Sequence, residues 1–177
     1  MYIIGIDPGL TGAIAALSGD SHKIEFIYDI KAVPLSSPKR VDVPELIELF
    51  KPLAGSVSLC LVERVGGLPG QSAPAAFTFG HATGVIDALA QCYFPGRHKT
   101  VPASRWKQDM KVRGKRGSLV HDGVREASIG EVNKAIIAMA DEMFPESRHL
   151  WRGPRGGIQV DRAEAALIAL WGAKHGG

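Results

Sequence analysis

Four carboxylates stand at the ends of apolar runs. Asp7 closes the run that starts at Tyr2 and is followed at once by Pro8-Gly9. Glu63 closes a second run, Val57 to Glu63. Asp161 and Glu164 stand three apart, just ahead of the apolar stretch Ala165 to Trp171. On a helix, positions i and i+3 share a face, so this pair can point at one place. If the two strands are parallel neighbours, Asp7 and Glu63 emerge at the same sheet edge, where open α/β sheets place their sites. Four clustered carboxylates repel one another unless cations neutralise them. Oxygen-only ligands suit Mg²⁺ or Mn²⁺, and two such ions about 3.5–4 Å apart support phosphodiester cleavage. Plainer readings stay open: Asp161 and Glu164 complement a helix dipole, and Asp7 is an ordinary turn residue. Glu63, flanked by Leu59, Leu61, Val62 and Val65, is costly to bury without a partner.

The elements that must position these groups follow from patterning. Tyr2 to Asp7, Gly12 to Leu17 and Lys23 to Asp29 read as strands, with hairpin chemistry at Gly19-Asp20-Ser21. A Pro- and Ser-rich loop, Lys31 to Lys39, precedes a short amphipathic helix, Val43 to Phe50. The strand ending at Glu63 leads through Gly66-Gly67-Leu68-Pro69-Gly70 into a helix, Ala75 to Tyr93, with Gly80, Gly84 and Ala88 on one face. Lys99 to Val101 is a short strand and Pro102 opens a helix to about Met110. Lys111 to Asp122 and Arg148 to Gly157 read as basic loops, the first of them mobile. Helices over Glu131 to Phe144 and Val160 to Trp171 complete the order β-β-β-α-β-α-β-α-α-α. Three antiparallel strands leading into βα units give an α/β class with a mixed sheet.

The net charge of +3 hides an uneven distribution. Arg97 to Arg116 holds eight basic residues and one acidic, Asp109, a local excess of seven that leaves the rest four net negative. Such a segment suits a polyanion, or is a solvated surface run. The two cysteines, Cys60 and Cys92, lack metal-ligand spacing and sit in apolar contexts, so both are expected to be buried free thiols. No apolar run approaches ~18 residues, and the N-terminus lacks the features of a signal peptide. A soluble, cytoplasmic protein of one domain, 1–177, is expected at ~150 residues per domain. Two-lobed kinases and large multidomain enzymes need more chain.

Ile4-Gly5-Ile6-Asp7-Pro8-Gly9-Leu10-Thr11-Gly12 resembles the first-strand motif of the RuvC-type Holliday junction resolvases, in the ribonuclease-H-like superfamily. Leu61-Val62-Glu63 resembles the second acidic strand, and Phe79 to Ile86 the small-residue helix after it. Val101-Pro102-Ala103-Ser104-Arg105-Trp106-Lys107 resembles the next strand–helix junction, and Asp161 to Ala169 the final acidic helix. The resemblance covers nearly the whole chain. It implies a central five-stranded mixed sheet flanked by helices, and a homodimer that makes paired nicks in four-way DNA with Mg²⁺ or Mn²⁺. It assigns the metal site to Asp7, Glu63, Asp161 and Glu164, with Glu164 where the family more usually has Asp. Lys107 matches a basic residue near the scissile phosphate, and Lys134 is similar to a second one. Lys111, Arg113, Lys115 and Arg116 are then expected on the DNA backbone.

The family often carries an aromatic wedge a few residues after the second acid. Here the loop offers only Leu68; Phe77 and Trp151 are the other candidates, with a core role favoured for Phe77. A phage-type enzyme of broader branched-DNA preference is an alternative, acting in the host cytoplasm as a bacterial enzyme would in its own. Two rivals lie outside the nuclease class. An actin-like ATPase shares the opening motif but needs a second lobe, and a non-catalytic DNA-binding scaffold would not need all four carboxylates.

Overall fold

The computed structural model describes residues 1–34, 39–66, 70–112, 119–121, 124–126, 129–153 and 157–176, with backbone alone at 119–121, 124–126 and 129. Strands β1 (Tyr2–Asp7), β2 (Ala13–Ser18) and β3 (Ile24–Asp29) form an antiparallel meander. Helix α1 (Val43–Phe50) leads to β4 (Val57–Arg64), helix α2 (Ala73–Tyr93), β5 (His98–Pro102) and the short helix α3 (Ala103–Asp109). The sheet runs β3-β2-β1-β4-β5, with β4 parallel to both β1 and β5. This is the expected five-stranded mixed sheet flanked by helices.

Side chains alternate across a strand, and that period sorts the core into two layers. Ile4, Ile6, Cys60 and Val62 face α1 and α2. Ile3, Leu59, Leu61 and Val101 face the other layer, built from α3, α4 (Ile129–Met143) and α5 (Val160–His175). Asp7 and Glu63 continue the odd-numbered sets of their strands, so both carboxylates belong to the α5 face. The register Ile6↔Val62 brings them side by side at the carboxyl edge.

Helix α5 crosses β1 in backbone contact. A Cβ at Gly5 would lie 2.3 Å from the Ala165 carbonyl oxygen and 2.4 Å from the Ala169 nitrogen. Ala163, Ala165, Ala166, Leu167, Ile168 and Ala169 are all fully buried there. The small residues let the helix axis approach the sheet and set Asp161 and Glu164 over the end of β1.

Several details differ from the sequence expectation. β6 (Leu119–His121), inside the expected loop, pairs antiparallel with β7 (Val124–Glu126), just beyond it. Pro145–Trp151 forms a 3₁₀ helix that runs into the start of the second basic region, Arg148 to Gly157. Helix α2 buries Ala82, Ile86 and Ala90, a stripe of period four. Phe77, Gly80, Gly84, Ala88 and Cys92 lie off that stripe and are exposed. Phe77 is 70% exposed, so it is not a core residue, and Cys92, unlike Cys60, is not buried.

Candidate metal centre

Asp7, Asp161 and Glu164 each place a carboxylate oxygen within 4.8 Å of the other two. Asp7 leaves the end of β1, and the turn after it is tightly packed: a Cβ at Gly12 would lie 2.1 Å from the Asp7 carbonyl oxygen. Asp161 comes from the first turn of α5 and Glu164 from the start of the next, on the same face. The Thr11 hydroxyl donates to Asp161, which ties the first turn to the loop after β1. Arg162 donates through Nε to Asp29 Oδ1 at 2.6 Å, through Nη2 to Asp29 Oδ2, and through Nη1 to the Leu150 carbonyl at 2.8 Å. That clamp fixes the first turn of α5 to the end of β3.

Glu63 is 5% exposed and is not left alone. The indole of Trp106, itself fully buried, donates to Glu63 Oε1 at 2.7 Å. Lys107, the next residue of α3, places Nζ 2.6 Å from Glu164 Oε1 and 3.9 Å from Glu63 Oε1. The same ammonium sits 5.1 Å from the centroid of the Trp106 ring. The far end of α3 is anchored where Trp171 of α5 donates to Asp109 Oδ2 at 3.0 Å.

The electrostatics match a site short of positive charge. Burial pushes the Asp7 carboxyl well above its ordinary range, and Glu164, Glu63 and Asp161 push it further. Burial raises Glu164 too, against the opposing pull of Lys107. Asp161 is raised by burial, with Thr11 acting against it. Burial would lower Lys107, but Glu164, Glu63 and Asp7 outweigh it and hold its ammonium above the usual value. An all-oxygen donor set at this separation, still starved of cationic charge, fits a hard divalent ion. Asp7, Asp161 and Glu164 would hold it, with Glu63 beside them. The three open on a cleft of about 740 Å³ whose opposite wall is the start of α2, at Pro74, Ala75 and Thr78.

The other expected site residues are dispersed. Lys134 is exposed on α4 and lines a separate groove with Ile137 and Ile158. Lys111 is exposed just beyond α3. Arg113, Lys115, Arg116 and Leu68 lie outside the described residues. Trp151 is fully buried and donates to Asp141 at 3.0 Å, so no wedge is available there. The basic stretch is not one charged face. Arg97 donates to the Ala54 and Val57 carbonyls, Lys99 to the Gly176 carbonyl, and Arg105 to Asp109. Sequence reasoning missed Thr11, Trp106 and the Arg162–Asp29 clamp as supports of the site. Thr11, Trp106 and Arg162 all lie inside the motifs quoted above, beside the residues they serve, which was the available signal.

No protein-family model matches the chain. No curated protein matches it either. Among solved structures the chain is similar to T. thermophilus RuvC in complex with Holliday junction substrate, with a TM-score of 0.59 and 16% identity. The match covers 99% of this chain and 97% of that one. At that identity the likeness establishes the architecture: the chain has a RuvC-like fold, and its converging carboxylates lie at the carboxyl edge of that fold's central sheet.

Proposed function

We propose that this protein is a divalent-metal-dependent endonuclease that resolves four-way DNA junctions by paired nicks. The observation that carries this reading is the convergence of Asp7, Asp161 and Glu164 within 4.8 Å, beside Glu63 and Lys107, on an open cleft of a RuvC-like fold. Asp7, Asp161 and Glu164 would hold the divalent metal, with Glu63 beside them as a further ligand. Bound Mg²⁺ or Mn²⁺ supplies charge to the scissile phosphate and lowers the pKa of water. The protein's own part is to hold the carboxylates, orient the attacking water and place the Lys107 ammonium where phosphate charge develops. Lys111, Arg113, Lys115, Arg116 and Lys134 contact backbone phosphates, which position DNA without reading its sequence.

Phe77 is the aromatic we assign to the wedge. It is exposed near the start of α2, whose neighbouring residues wall the cleft. The exposed face of Gly80, Gly84 and Ala88 suits close approach by a second copy; a Cβ at either glycine would meet nothing within 4 Å. Gly84→Leu is expected to shift a dimer toward monomer in light scattering.

The test is cleavage of a synthetic mobile four-way junction, with Mg²⁺ or EDTA, against Y-forks, loops and duplex. Paired nicks at symmetric positions are expected on the junction alone, and Asp7→Asn should abolish them while junction binding persists. Equal cutting of Y-forks and loops would favour the broader branched-DNA reading, which the missing aromatic after Glu63 supports. Full activity of Asp7→Asn would sink the assignment of the site.

A further inference from the structure

We propose that Lys107 is a built-in cation that competes with the divalent ion for Glu164, keeping the centre weakly metallated until DNA phosphate takes the ammonium. The proposal rests on the metal-dependent reading above. Its basis is one contact: Lys107 Nζ lies 2.6 Å from Glu164 Oε1, and Glu164 is one of the three residues whose oxygens converge. Charge-assisted contacts of this kind are the strong ones. The ammonium also stands 3.9 Å from Glu63. An ammonium on Glu164 Oε1 takes up one of that carboxylate's two oxygens and part of its charge, so a divalent ion at the same carboxylate meets a weaker ligand and a repelling cation beside it.

The placement is built into the fold. Trp106 is locked in the core by its bond to Glu63, and Asp109 is tied to Trp171, so the backbone of α3 at Lys107 is held from both sides. The Lys107 side chain is a quarter exposed, and a lysine's four-carbon stem is flexible, so its ammonium can change partner without movement of α3. A single positive charge cannot neutralise four carboxylates, so Lys107 relieves the repulsion without ending it. A phosphate in the cleft offers the ammonium another acceptor. Metal and DNA are then positively coupled, each tightening the other by the same factor.

The test measures Mn²⁺ binding to the full chain without DNA, by calorimetry, in the wild type, Lys107→Met, Lys107→Gln, Arg105→Met and Asp161→Asn. A competing pair formed about nine-tenths of the time lowers the apparent affinity about tenfold. Lys107→Met and Lys107→Gln should therefore bind Mn²⁺ about tenfold more tightly than the wild type. Lys107→Gln keeps a donor for Glu164, which guards against a variant that fails to fold. Arg105→Met removes a charge from the same helix, one paired with Asp109 and not with the site, and should bind as the wild type does. In EDTA, Lys107→Met should melt lower than the wild type, and Mn²⁺ should raise its melting point by more. Unchanged or weaker affinity in both Lys107 variants, with Asp161→Asn still weakened, overturns the proposal and leaves the metal centre standing. Equal tightening in Arg105→Met also overturns it, since a general field would then suffice. Absence of Mn²⁺ binding in every variant overturns the metal centre itself.

Discussion

Asp7 is the most deeply buried of the converging carboxylates. Its carboxyl is raised by burial and by three neighbouring carboxylates. Asp161 and Glu164 are raised as well. For such groups the native state binds protons that the unfolded chain has already released, so stability falls as pH rises through the raised range. Metal-free protein should thus lose melting temperature as pH climbs from the ordinary carboxylate range upward. Mg²⁺ should flatten the curve, and Asp7→Asn should flatten much of it without metal. The Asp29 carboxyl, held low by Arg162, acts in the opposite sense and only at lower pH. Trp106→Phe removes the donor to a buried carboxylate, at a cost of about 1–3 kcal/mol. Denaturant unfolding should report that loss, and the nicking rate should fall more than junction affinity.

At the scale of elements, the site depends on how closely α5 approaches β1 and on what fixes its first turn. Gly5→Ala drives a methyl into the α5 backbone, which cannot give way as a side chain tip could. We expect at least about 2 kcal/mol of destabilisation, read by urea unfolding, with loss of nicking as Asp161 and Glu164 move off Asp7. Arg162→Met should lower the nicking rate while junction binding holds, and Arg162→Lys should not rescue it, because one ammonium cannot make the bidentate bond to Asp29. These supports were only partly legible. The strands, α5 and its acidic turn follow from hydrophobic period and residue type. The partners of Glu63 and Arg162 are 43 and 133 residues away, beyond any local pattern.

For the whole molecule, the basic stretch changes meaning once folded. Arg97, Lys99 and Arg105 are tied to carbonyls or a carboxylate and Lys107 to the acidic site, so the proposed hold on the DNA backbone rests on Lys107 at the site, on Lys111, Arg113, Lys115 and Arg116, and on Lys134. Junction affinity should drop steeply with salt. Removing Arg113, Lys115 and Arg116 together should flatten the slope of log K against log salt by about one per lost phosphate contact. Filter binding over a salt series checks this, and the loss should be similar for every junction sequence. Among the described residues, no helix is long and apolar enough to cross a membrane.

Sequence alone determined that Asp7 and Glu63 close apolar strands, the i, i+3 spacing of Asp161 and Glu164, and the mixed α/β class. All of these are local periods of the backbone, visible wherever side-chain type repeats with them. Tertiary structure alone decided that β4 lies parallel beside β1, that α5 crosses at Gly5, and that Lys107 reaches Glu164. It also decided which face of α2 is buried and that Arg97, Lys99 and Arg105 are tied to carbonyls or a carboxylate. Those outcomes depend on contacts between distant segments, where packing and charge neutralisation act on neighbours that the linear chain does not place together.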